Sequence, residues 1–146
     1  MSAGGSSPRA DLEAASSYTE LRRQEAVSAK RLYAIDARCT PQSPVTDAPE
    51  LTDLAIGAVN AGGGHVMDAS HVVFPNGAIT LVLILAESHL SIHTWPEENL
   101  IAIDLFSCGA IDGQRVIDEL VSGLRLDAVT VTAVERGLPS AGPAAL

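Results

Sequence analysis

Glu87-Ser88-His89-Leu90-Ser91-Ile92-His93-Thr94-Trp95-Pro96-Glu97 is the stretch on which the reading of the chain turns. An unbroken apolar run, Leu81 to Ala86, leads into it. Two serines, two imidazoles and the single tryptophan follow, and buried strands do not ordinarily end in so much reactive chemistry. A second run, Leu100 to Leu105, comes next and ends in Phe106-Ser107-Cys108-Gly109. Apolar runs of this length read as strands. Paired, they bring Cys108 back toward Ser88.

Lys30 to Cys39 alternates as a strand does, and Pro41 and Pro44 make a loop after it. Asp47 with Glu50 marks a helix start, the acid at the cap and the second acid three residues on. Leu51, Leu54, Ala55, Ala58 and Val59 recur at helical spacing until Gly62-Gly63-Gly64. His65 to Phe74 reads as a strand, Pro75-Asn76-Gly77 as a tight turn, and Ala78 to Ala86 as the return. A second helix begins near Asp112, with Val116, Ile117, Leu120, Val121 and Leu124 on its apolar face. Asp127 to Val134 is the last strand. This order predicts an α/β (α+β) two-layer sandwich, a largely antiparallel sheet with two helices on one face. The domain spans residues 29–136, between an expected flexible extension (1–28) and a flexible tail (137–146). A helix over 9–28 is also expected.

A serine hydroxyl is a weak nucleophile until it is positioned or activated. Behind a strained peptide it can attack the preceding carbonyl, here that of Glu87. The resulting ester can lose the Glu87 carboxylate by elimination, and the remnant of Ser88 then hydrolyses to a pyruvoyl group. His93 and Ser88 are an odd number of residues apart, so in a straight strand they face opposite ways. Were the two to act together, either the strand would bend between them or His93 would meet the Ser88 of a neighbouring copy.

The block from Glu87 to Glu97, followed by Asp104-Leu105-Phe106-Ser107-Cys108-Gly109, resembles the signature of the bacterial S-adenosylmethionine decarboxylase proenzymes. Outside that block the resemblance is looser, traceable from about Lys30 to Gly137. It implies self-cleavage between Glu87 and Ser88, with Ser88 as precursor of a covalent pyruvoyl cofactor that takes the substrate amine as a Schiff base. It implies His93 as the base of the cut and Cys108 as the proton donor in decarboxylation. Phe74 is implied to stack on adenine, Glu97 to hold the ribose hydroxyls, and Trp95 reads as pocket wall. The site of the family lies across a dimer interface, so a dimer of cleaved protomers is expected, with a product that serves spermidine biosynthesis. The chain departs from the family at Thr80, where a serine is usual, at Leu81, and at Arg31-Leu32-Tyr33-Ala34-Ile35-Asp36 in place of His-Leu-x-x-Glu. These changes fall near the expected pocket, which makes an arginine or ornithine decarboxylase the nearest alternative. A non-cleaving regulatory homologue is the second.

A net charge of −9 argues against nucleic acid and anionic membranes and suits a cationic substrate such as a sulfonium. Cys39 and Cys108 make no disulfide framework, and Cys39 reads as core. With no apolar stretch near membrane-spanning length and no signal-peptide core, a cytoplasmic protein is expected. His89 and His93 with Cys108, His65 or His71 could frame a zinc site, but the spacing is loose and no metal is expected. His65 and His71 read as surface or satisfied strand residues.

Overall fold

The computed structural model describes residues 29–138. The helix expected over 9–28 and most of the expected C-terminal tail lie outside that range. Strands β1 (Lys30–Arg38), β2 (Val66–Val73), β3 (Ile79–Leu85), β4 (Ser88–Trp95), β5 (Leu100–Cys108) and β6 (Asp127–Arg136) form one sheet, in the order β2-β3-β4-β5-β1-β6. Every neighbouring pair is antiparallel. Helices α1 (Ala48–Ala61) and α2 (Gly113–Gly123) cover one face, as the alternation of the strands predicts.

Alternation decides which face is covered. Ile35 and Ala37, Leu81 and Leu83, Leu90 and Ile92, and Ile101, Ile103 and Leu105 all point to the helices and are buried. Leu51, Ala55 and Val59 of α1 and Val116, Ile117 and Leu120 of α2 meet them there. Burying an apolar side chain of this size is worth about 1.5–3 kcal/mol, so this single layer of contacts is the dominant stabilising term. Cys39 packs partly buried at the edge of the core, and burial pushes its thiol pKa up.

Both helices start where an aspartate can accept a free amide. Asp47 Oδ1 accepts from the Glu50 N–H at 3.1 Å, and Asp112 Oδ1 from the Arg115 N–H at 3.1 Å. The end of α1 and the start of α2 meet at Gly62, whose carbonyl accepts from the Asp112 N–H at 2.9 Å. A Cβ on Gly62 would lie 2.8 Å from the Asp112 carbonyl oxygen and would collide with Val116. Gly62→Ala is therefore expected to destabilise the fold by about 1–3 kcal/mol, the usual cost of overpacking. A lower urea midpoint at unchanged slope is the measurement that checks this.

Among the described residues nothing covers the other face of the sheet. Val72, Ile84 and Val134 stand more than two-fifths exposed on it, and Trp95 is open at the end of β4. His89, Ser91 and His93 share that face, since Leu90, Ile92 and Thr94 are the buried alternates.

Candidate active site

β3 and β4 are joined by two residues only, Ala86 and Glu87, with Leu85 paired to Ser88 across the turn. Both loop residues are buried. Two-residue hairpins favour turns that place positive φ in the loop itself. Here neither loop residue has it, and the deviation falls on Ser88, at φ +142°. That is a region L-residues rarely adopt, and holding one there costs on the order of 1–3 kcal/mol. The strain thus sits on the residue that follows the Glu87–Ser88 bond.

The two apolar runs, in β3 and β5, do not pair with each other as expected: the motif between them is itself a strand, β4, which pairs with both, and it is β4 with β5 that returns Cys108 to this turn. The Cys108 thiol donates to the Glu87 carbonyl oxygen at 3.1 Å, and its Sγ lies 3.9 Å from Ser88 Oγ. A donor on that carbonyl draws electron density from the carbon that the Ser88 hydroxyl would attack. A cavity of about 220 Å³ opens beside Cys108, lined by Arg31, Tyr33, Ser107 and Ile111. Arg31 spans from the Tyr33 hydroxyl (3.5 Å) to Glu135 (3.2 Å), and these two partners push its pKa up.

Glu87 turns its side chain away from the bond and into the core. Its carboxylate is 3 % exposed, yet it is ionisable and must find partners. Oε1 accepts from the His65 N–H at 2.6 Å, and Oε2 lies 3.1 Å from His65 Nδ1. His65 is exposed, in keeping with its reading as a surface or satisfied strand residue, but the sequence does not show that Glu87 is its partner. One signal was present: Glu87 is the one charged residue between Ala78 and Ser88. A lone acid entering a buried hairpin requires a donor, although nothing in the sequence says which.

The other expected site residues gather at the far end of β4. Phe74, Thr80, His93, Trp95 and Glu97 line a cavity of about 380 Å³. His93 Nδ1 lies 3.2 Å from Thr80 Oγ1, and its ring is 6.2 Å from that of Trp95. Asn76, which the sequence marks only as a turn residue, directs its amide N–H toward Glu97 Oε2 at 3.4 Å. Phe74 also closes the hairpin, its carbonyl accepting from Gly77 N–H and its N–H donating to Ala78.

These two groups of residues are not brought together within one chain. The β3–β4 register runs unbroken from Leu85–Ser88 to Thr80–His93. Five residues of strand separate Ser88 from His93, roughly 16 Å at about 3.3 Å per residue. The strand does not bend back, which removes the first of the two options raised by the odd spacing.

Comparison with known proteins identifies the family and the fold. A family model described as S-adenosylmethionine decarboxylase matches residues 31–137. The S-adenosylmethionine decarboxylase proenzyme of Brevibacillus brevis is 40% identical over 110 residues, covering 74% of this chain and 82% of that protein. Proenzyme 2 of Bacillus anthracis is 39% identical over 84 residues, covering 57% and 68%. The crystal structure of the adenosylmethionine decarboxylase from Aquifex aeolicus superposes with a TM-score of 0.69 at 26% identity, covering 78% of this chain and 95% of that one. The antiparallel sheet backed by two helices is the architecture the chain shares with that structure. The chain belongs to the S-adenosylmethionine decarboxylase family, a family of carboxy-lyases.

Proposed function

We propose that the folded chain cuts its own Glu87–Ser88 bond, converts Ser88 into a pyruvoyl group, and decarboxylates S-adenosylmethionine in the cytoplasm, supplying an aminopropyl donor for spermidine synthesis. The observation that carries this reading is the φ of +142° at Ser88, next to a Glu87 carbonyl already held by the Cys108 thiol.

The steps balance on the residues present. Ser88 Oγ adds to the Glu87 carbonyl carbon, and the bond to the Ser88 nitrogen breaks as that nitrogen takes a proton. The amide becomes an ester and the strained backbone is released. A base removes the Ser88 α-hydrogen, the Cβ–O bond breaks, and Glu87 departs with a carboxylate terminus. Water then replaces the nitrogen of the dehydroalanine, releasing ammonia. The group formed supplies an electron sink for decarboxylation. The Cys108 thiol, beside Ser88, is placed to return a proton to the substrate α-carbon.

The cavity of Phe74, Trp95 and Glu97 has the chemistry for a nucleoside. An aromatic face stacks on a purine, and a carboxylate accepts from two ribose hydroxyls. Carbon dioxide release from processed protein, assayed with S-adenosylmethionine, arginine and ornithine, tests the substrate. Release from S-adenosylmethionine alone is expected, and preference for either amino acid would overturn the assignment.

Because β4 runs straight, the base His93 acts in a second copy. Two chains whose open sheet faces meet would cover Val72, Ile84 and Val134 and carry the His93 end of one toward Ser88 of the other. Mixing tests this. Ser88→Ala alone cannot cut, and His93→Ala alone is expected to cut at least about tenfold more slowly, the loss of a general base. Co-expressed, about half of the His93→Ala chains should regain normal cutting, as random pairing into symmetric dimers requires. Cutting no faster than His93→Ala alone would rule out action between copies.

A further inference from the structure

We propose that His65 is a positioning residue for the cut, an inference that rests on the self-cleavage reading. Through its backbone and its ring it clamps the Glu87 side chain, and so fixes the Glu87 carbonyl relative to Ser88 Oγ.

Three contacts tie the turn to this one residue. The His65 N–H donates to Glu87 Oε1 at 2.6 Å, Nδ1 lies 3.1 Å from Oε2, and the His65 carbonyl accepts from the Ala86 N–H at 2.9 Å. The socket is shaped for the carboxylate. A Cβ on Gly64 would lie 3.1 Å from Glu87 Oε1, 2.6 Å from Val59 Cγ1 and 2.7 Å from Ile111 Cδ1, so only glycine leaves the room. The imidazole itself is more than half exposed, while the carboxylate it faces is almost wholly buried. Packing therefore does not explain the ring; its contact with the acid does.

The clamp bears on the reaction because Glu87 carries both the anchored side chain and the attacked carbonyl. The side chain is held from one side by His65 and the carbonyl from the other by Cys108. Rotation of the carbonyl toward or away from Ser88 Oγ is confined between the two. An intramolecular attack is acutely sensitive to such placement, and a shift of about 1 Å can cost 10²-fold. After the cut the same clamp retains the new terminus, where a second carboxylate has appeared next to the first.

Two full-length variants test this. His65→Ala removes the ring and keeps the backbone donor. His65→Asn places an amide N–H close to where Nδ1 stands. Each precursor is made by pulsed translation, and conversion to two pieces is followed on gels at a temperature well below the melting point of each variant. The wild type should cut, His65→Ala should cut about 10- to 100-fold more slowly, and His65→Asn should recover most of the rate. If His65→Ala cuts at the wild-type rate, or if His65→Asn is as slow as His65→Ala, the positioning role is wrong while self-cleavage stands. A wild type that stays in one piece removes the reading beneath it as well.

Discussion

Ser88→Ala is expected to accumulate as one chain of 15.1 kDa and to release no carbon dioxide from S-adenosylmethionine. The substitution removes one atom, the oxygen proposed to add to the Glu87 carbonyl, and leaves the hairpin, the Cys108 thiol and the His65 contacts in place. Without that oxygen no ester forms and no electron sink arises, so activity falls to the uncatalysed background, by at least about 10⁶-fold. Intact-mass measurement reads the outcome directly. The wild type should give pieces ending at Glu87 and beginning at Ser88, the second lacking a free amine. Two pieces from Ser88→Ala would move the cut elsewhere in the chain. A companion variant separates strain from chemistry. Alanine at φ +142° remains strained, whereas glycine does not. Ser88→Gly should be equally uncut yet more stable than Ser88→Ala by about 1 kcal/mol. Equal stability of the two would mean that the turn stores no strain at this position.

The elements that the sequence exposes are those set by local chemistry. Alternation along Lys30–Arg38 and the apolar runs of β3 and β5 specify strands because one face must be buried. Asp47 and Asp112 specify helix starts because free amides need acceptors. The order of the strands is not local. β1 lies between β5 and β6, and nothing in its nine residues names those partners. The same limit applies at the site. That Ser88 and Cys108 meet follows from β4 pairing with β5, whereas the two apolar runs suggest β3 pairing with β5 directly. That Phe74, Thr80, His93, Trp95 and Glu97 share a cavity was not legible, because periodicity alone does not place the two hairpins' ends side by side. The φ of Ser88 and the clamp on Glu87 were illegible. One depends on how a two-residue turn distributes its twist, and the other joins residues on either side of a hairpin.

Cys108→Ala is expected to fail in two measurable ways, because the thiol touches both sides of the Glu87–Ser88 bond. It donates to the Glu87 carbonyl oxygen, and it lies beside the oxygen of Ser88. Loss of the first contact should slow the cut by about tenfold, since a weak thiol donor polarises the carbonyl less than an oxyanion-hole amide, whose removal costs about 10²–10³. Loss of the second should be larger. Without a general acid at the substrate α-carbon, turnover per cut chain should fall by about 10²–10⁴-fold. Protonation at the wrong carbon should then inactivate the enzyme as it works, so progress curves should level off before substrate is consumed. Cys108→Ser separates the two roles. Its hydroxyl can still donate, though the shorter C–O bond holds it farther from the carbonyl, so cutting should recover more fully than turnover. Rates are compared per cut chain, quantified by mass, so that slow processing is not mistaken for slow decarboxylation. Unaltered turnover per cut Cys108→Ala chain would exclude the thiol as proton donor and leave it only the role of holding the carbonyl.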